Sequence, residues 1–327
     1  MKVVVLSALA SAAMLAPSAA QTPARPLLGF PLACELGRTC EIQHYVDRDP
    51  GPGVKDYRCG TMTYEKHNGV DLRIPDMAAQ RRGVAVLAAA AGRVSRLRDG
   101  VADVSVKAPG APPVANAECG NGVVIDHGDG WETQYCHLAK GSIGVKVGDT
   151  VAAGAPIAEV GLSGNTEYPH LHFIVRKGGQ VVDPFAPEAA AACGAQAGMW
   201  RAEVAAKMTY RPGLVLNAGF TDAQFGMDEL EAGSLRPFTA GSPILVAYAR
   251  AIALLPGDVV ELELRGPDGA VLARSRAQPL QRWRAQDLIY VGKRRPATGW
   301  AKGVYVADYR VLREGKPALS RRIQTTL

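Results

Sequence analysis

Short runs of alternating apolar and polar residues dominate the chain, and turn residues interrupt them at close intervals. That pattern predicts strands rather than helices. In the first half the clearest runs cover residues 123–125, 145–147, 156–160 and 171–175. Residues 123–126 and 131–136 flank His127-Gly128-Asp129-Gly130, the signature of a hairpin. A loop insertion is expected near 99–118, because Ala108-Pro109-Gly110-Ala111-Pro112-Pro113 suits neither a strand nor a helix. Residues 188–197 are Ala-rich and read as a short helix or a linker.

A second series of strands starts near residue 199. Residues 259–264 alternate, turn at Gly266-Pro267-Asp268-Gly269 and resume over 270–273. Further strands are expected over 243–249, 288–291 and 303–312. Turn signals at this spacing over roughly 120 residues fit an immunoglobulin-like β-sandwich. The pattern therefore predicts a mainly β, antiparallel protein with a first domain over 21–198 and a second over 199–327.

Residues 1–20 stand apart. Lys2 precedes an apolar run over 3–16, and Ser18 and Ala20 occupy the positions a signal peptidase prefers. A cleaved export signal leaving Gln21 as the first residue is expected, against a buried first helix or a membrane anchor. The run is shorter than the ~20 apolar residues of a membrane span, and no later segment approaches that length. The expected cleavage site has no cysteine, which argues against a lipid anchor.

Export changes the reading of the six cysteines, because an oxidising compartment favours disulfides over thiols. Cys34–Cys40 is the expected local bridge, and Cys119 and Cys136 can meet across the hairpin. Cys59–Cys193 then follows only by elimination. A zinc cluster of cysteines is the rival, but no CxxC pair occurs.

Charge separates the two halves. Residues 21–200 carry 17 Lys and Arg against 19 Asp and Glu, whereas residues 201–327 carry 19 against 12. The basic excess thus belongs to the second domain, where Arg282, Arg284, Lys293, Arg294, Arg295, Arg321 and Arg322 contribute to it. It either serves solubility or holds the protein to anionic envelope polymers. Nucleic acid is not expected as a partner, since an exported chain is in the wrong compartment and no binding motif is present.

The candidate chemistry lies in the histidines. Lys66-His67-Asn68-Gly69-Val70-Asp71-Leu72 reads as a strand with Val70, Leu72 and Ile74 inward, which places His67 and Asp71 on one side at an even offset of four. In Pro169-His170-Leu171-His172-Phe173, the apolar residues face the core and both histidines face away. Two imidazoles and one carboxylate on strand faces suit a three-ligand zinc site with a fourth position for water. The helical HExxH design is absent.

These residues and their surroundings resemble the lysostaphin and LytM-type zinc endopeptidases. The resemblance covers about residues 60–186. It takes in His67-x-Gly69-x-Asp71, Gly122-Val123-Val124-Ile125, Tyr135-Cys136-His137-Leu138 and Val147-Gly148-Asp149-x-Val151-x-x-Gly154. It continues through Gly161-x-Ser163-Gly164-Asn165-Thr166 and the His170/His172 segment to Val182-Asp183-Pro184. It implies a LytM-type fold of hammerhead or barrel-sandwich character, with one zinc ion on His67, Asp71 and His172. It also implies His137 and His170 as catalytic non-ligand histidines, and peptidoglycan peptides as the substrate. Which histidine is the general base stays open. His127, in its turn, is expected to be solvated, and His44 has no role.

Two departures stand out: the longer insertion at 99–118, and Tyr168 where a glycine or small residue is common. The resemblance also supplies a rival, since some relatives lose zinc ligands and act as scaffolds or activators of cell-wall amidases. Here all the ligands and both catalytic histidines are present. A second rival, a biotinyl or lipoyl carrier domain, lacks the lysine-bearing hairpin turn that it needs.

Overall fold

The computed structural model describes residues 25–188, 193–194 and 198–327. The expected export signal (residues 1–20) and most of the Ala-rich stretch lie outside these residues. The first unit contains β1 (Glu41–His44), β2 (Val70–Arg73), α1 (Met77–Arg81), β3 (Ala85–Leu87), β4 (Gly92–Arg98) and β5 (Asn121–Asp126). It continues with β6 (Trp131–Leu138), β7 (Thr150–Val151), β8 (Pro156–Glu159), β9 (His170–Lys177) and β10 (Gln180–Val182). The main sheet runs β1-β2-β9-β6-β5-β4-β7 with β10 also on β9, and β3 pairs with β8 in a small second sheet. Every pairing of named strands is antiparallel, as the alternation predicts.

Val70, Leu72, Val123, Ile125, Tyr135, Leu171, Phe173 and Val175 point into one core, which fixes the opposite face of the same strands for chemistry. The expected hairpin is β5–β6, and the three bridges are Cys34–Cys40, Cys59–Cys193 and Cys119–Cys136. Residues 145–147 form no strand. Val147 is exposed, Lys146 N donates to Asp149 Oδ2, and Gly148 takes a positive φ, so turn chemistry overrides the alternation there. His127 is half-buried rather than solvated. Its ring nitrogens bind Ala91 O and Thr133 Oγ1, and burial pushes its pKa down.

The second unit contains α2 (Ala202–Ala205), β11 (Leu214–Thr221), α3 (Met227–Ala232), β12 (Ile244–Leu254), β13 (Val259–Arg265), β14 (Val271–Arg276), β15 (Arg284–Arg294), β16 (Val304–Arg313) and β17 (Lys316–Thr326). Its sheets run β11-β12-β15 and β14-β13-β16-β17. Leu245, Ala247 and Ala249 of one sheet face Leu262, Leu264, Ala307 and Tyr309 of the other across a separate core. Several of its basic side chains pair with acids: Arg313 with Asp258, Arg322 with Asp308, Arg276 with Glu261.

The units are joined by packing. Met199, Trp200 and Met208 lie in the first core, and the Tyr210 ring stacks on buried Tyr45 at 5.5 Å. Among the described residues no helix is long and apolar enough to cross a membrane.

Candidate metal centre

The β2–β9 ladder sets Asp71 opposite His172 and Arg73 opposite His170, all on the face away from the core. β6 runs along the other side of β9, with Cys136 opposite His172. His137, the next residue, has a φ of 62°, a conformation that costs a non-glycine residue energy and departs from regular strand geometry. Its N–H donates to Cys119 O, next to the Cys119–Cys136 bridge.

His67 does not lie on the strand, contrary to the sequence reading. β2 starts at Val70, and His67 ends a turn in which its N–H donates to Tyr64 O after Lys66 at φ 63°. The turn brings the ring to the same point that strand parity was expected to reach. His67 Nε2, Asp71 Oδ1 and His172 Nδ1 lie within 2.9–3.2 Å of one another, and all three residues are almost fully buried.

The partners of the far nitrogens decide what those atoms can do. His67 Nδ1 lies 2.7 Å from Tyr45 O, an acceptor only, so it carries the proton and leaves a lone pair on Nε2. His172 Nε2 donates to Asn68 Oδ1 at 3.0 Å, which leaves a lone pair on Nδ1. Two lone pairs and a carboxylate oxygen therefore face one point. Without a cation they repel; with one they are ligands. Tetrahedral ligands about 2.0–2.1 Å from zinc are about 3.3 Å apart, so the triangle needs to open by only tenths of an ångström. The residues fit the metal.

Asp71 is held from behind. Its Oδ2 accepts from His44 Nδ1 at 2.9 Å, which gives His44 the role that the sequence left blank. Burial would push the Asp71 carboxyl up, but without a cation the His67 and His170 charges, and protons that His170 and His172 then turn toward it, hold it well below the usual carboxylate range; a bound cation would take the place of those protons. Burial likewise pulls His67 down, but Asp71 more than reverses this. Burial pushes His44 and His172 down.

His137 and His170 sit beside this triangle, with ring centroids 4.7 Å apart. His137 donates Nδ1–H to Ser163 O at 2.8 Å, and His170 donates Nδ1–H to Tyr168 O at 3.0 Å. Both keep an Nε2 lone pair for the site, and His170 Nε2 lies 3.4 Å from Asp71 Oδ1. Burial, with His170 and His172 adding to it, pushes His137 well below the usual imidazole value, so its ring is neutral near pH 7. The carbonyls come from one loop, which the 99–118 insertion braces: Val106 N donates to Thr166 O, and Ser105 Oγ to Glu167 O.

Gly69 is required by close approach. A Cβ there would lie 2.7 Å from His172 Cε1 and 2.8 Å from Phe173 O. Around the site, Tyr64 stacks on His67 at 4.3 Å, and Trp283 of the second unit lies 6.1 Å from His44, ring centre to ring centre. His44, Asn68 and Trp283 escaped the sequence reading. Asn68 lay inside the motif, between two candidate ligands, and could have been found there.

Comparison with known proteins bears out the resemblance. Residues 65–184 match the model of Peptidase family M23. The cell division protein DipM of Caulobacter vibrioides is 30% identical over 125 residues, 38% of this chain and 17% of DipM. The DD-carboxypeptidase/endopeptidase Mpg of Neisseria meningitidis is 42% identical over 65 residues, 20% of this chain and 14% of Mpg. The murein hydrolase activator EnvC of Escherichia coli is 45% identical over 62 residues, 19% of this chain and 14% of EnvC. The chain thus spans under a fifth of the length of each of these relatives.

Proposed function

We propose that the protein is an exported zinc metalloendopeptidase that hydrolyses peptide bonds in the stems or cross-links of peptidoglycan. The observation that carries this reading is the convergence of His67 Nε2, His172 Nδ1 and Asp71 Oδ1, with both imidazole protons fixed on the far side. The M23 match and the name of Mpg support it.

His67, Asp71 and His172 would hold the metal. A bound zinc supplies Lewis acidity, lowering the pKa of water toward ~7 and polarising the scissile carbonyl. His137 and His170 each turn Nε2 toward the site, anchored through Nδ1–H to a backbone carbonyl. One accepts the proton released by the attacking water and later delivers it to the leaving amine; the other, carrying on Nε2 a proton taken from solvent before substrate binds, donates to the oxyanion. Their burial excludes water that would compete for these protons.

The name of EnvC supports a second reading, an inactive member that activates cell-wall amidases. The complete set of five residues favours the enzyme. Export is supported by the disulfides and by the leader pattern. The basic second domain as an adhesive for anionic polymers rests on its net charge alone.

Purified peptidoglycan incubated with the zinc-loaded protein should yield new peptide termini, identified by mass spectrometry, and the His137→Ala variant should yield none. Absence of new termini, together with faster release by an added amidase, would replace this reading with the activator.

A further inference from the structure

Arg73 lies on the same face of β2 as Asp71, opposite His170 in the ladder, and is fully buried. Its guanidinium stacks on the Tyr168 ring, 3.7 Å from the centroid. It donates Nη1–H to Gln43 Oε1 at 3.0 Å, and Gln43 Nε2 donates to the Tyr168 hydroxyl at 2.7 Å. Tyr168 is thus clamped at its ring and at its oxygen. This residue supplies the carbonyl that accepts His170 Nδ1–H. It is also the residue at which the sequence departs from its resemblance.

The clamp does not end in the first unit. Arg73 donates Nη2–H to Glu231 Oε2 at 2.5 Å, and Glu231 belongs to α3 of the second unit. Arg250 of β12, also fully buried, pairs with the same carboxylate oxygen and reaches Asn217 Oδ1 and Pro75 O. One carboxylate serves two buried guanidiniums. Such a cluster is a poor source of stability compared with apolar packing, because removing the charges from water opposes the attraction between them. What it does supply is orientation: the planar fork of arginine holds its partners in fixed directions.

We propose that Glu231 is a positioning residue for His170. By holding Arg73 it holds Tyr168, and with it the carbonyl that keeps the His170 proton on Nδ1 and the Nε2 lone pair toward the site. The second unit is then part of the catalytic apparatus. This rests on the reading of His170 as a proton-transfer group.

The test uses the full chain with Glu231→Gln and Arg73→Lys, and Asp308→Asn as a control in the Arg322–Asp308 ion pair of the β14-β13-β16-β17 sheet. Two quantities are measured: kcat and KM on a soluble stem peptide, and the His170 tautomer by long-range nitrogen–proton NMR of histidine-labelled protein. Both variants should lose the single Nδ1–H form and lower kcat about 10- to 100-fold with KM within about twofold, the scale of a small misplacement. Zinc content should be unchanged, Glu231→Asp should recover part of the tautomer signal, and Asp308→Asn should match wild type. If Glu231→Gln does not fold, Arg73→Lys decides alone, since it keeps the charge and loses the planar stack. A wild-type tautomer in a folded variant, or a rise in KM at unchanged kcat, overturns the proposal. If the wild type cuts no peptide, the enzymatic reading fails, while the tautomer comparison still decides the role of Glu231.

Discussion

His67 Nε2 and His172 Nδ1 face each other at 3.2 Å, with the proton of each ring committed to an acceptor on its far side. That relationship suits the pair to holding a metal ion rather than to a hydrogen bond. It also makes Asn68, the acceptor for His172, a control point. Asn68→Leu frees the His172 proton to move to Nδ1, between the two rings. Zinc affinity should fall about 10- to 100-fold, as for other residues that orient ligands. Competition with a chelating dye measures it; affinity within twofold of wild type would contradict the tautomer argument.

The two histidines beside the triangle should separate chemistry from binding. His137→Ala and His170→Ala should lower turnover at least about 100-fold, the usual range for a lost proton-transfer group. Both should retain about one zinc per chain by elemental analysis, whereas His67→Ala should lose metal and activity together. Near-normal turnover by His137→Ala would remove it from the mechanism.

Gly69→Ala should abolish zinc binding through shape alone. The added methyl falls within 2.8 Å of the His172 ring and of the Phe173 carbonyl, neither of which can yield without shifting β9. Zinc titration of the folded variant checks this, and wild-type stoichiometry would show that the ladder adjusts.

Glu41 supplies a pH test outside the candidate metal triangle. It lies opposite Arg73 in the β1–β2 ladder, and burial pushes its carboxyl up to about 7, against a smaller pull from Arg211 and Arg321. The folded value lies above the ordinary carboxyl value of 4.5, so its contribution to stability is complete below about 4.5 and is lost as pH rises through 7. Glu41→Gln, uncharged throughout, should therefore gain on wild type by roughly 1–3 kcal/mol at pH 8 and by little at pH 5. Thermal melts at the two pH values measure the difference, and equal shifts at both would contradict it.

The chain should contain no reactive thiols when labelled under denaturing, non-reducing conditions. Cys59–Cys193 spans 134 residues, so it constrains the unfolded chain most. Replacing both cysteines by serine should cost about 2–5 kcal/mol in denaturant melts, with the Cys34–Cys40 pair costing less. Equal losses would mean that loop length does not govern the effect.

Much of the site could be read in the sequence, because its information is local. Asp71, His170 and His172 sit in short strands whose apolar neighbours fix their facing, and period-two geometry carries that over a few residues. The hairpin and its disulfide were legible for the same reason. Where local turn chemistry competed with alternation, at residues 145–147 and at the turn carrying His67, the strand reading failed. β17 also escaped, since an edge strand exposed along most of its length has little apolar periodicity to read.

The surroundings of the site were decided only by tertiary structure. His44 is separated from Asp71 by 27 residues, and Glu231 from Arg73 by 158. Neither pair shares an element, a period or a motif. The candidate donor types and the facing of Asp71, His170 and His172 follow from residue type and strand parity, which a sequence carries, and the resemblance selects His172 over His170 as the candidate ligand. The proton positions that make those ligands usable follow from which carbonyl or carboxylate the fold sets behind each ring, and only the packed sheets determine that.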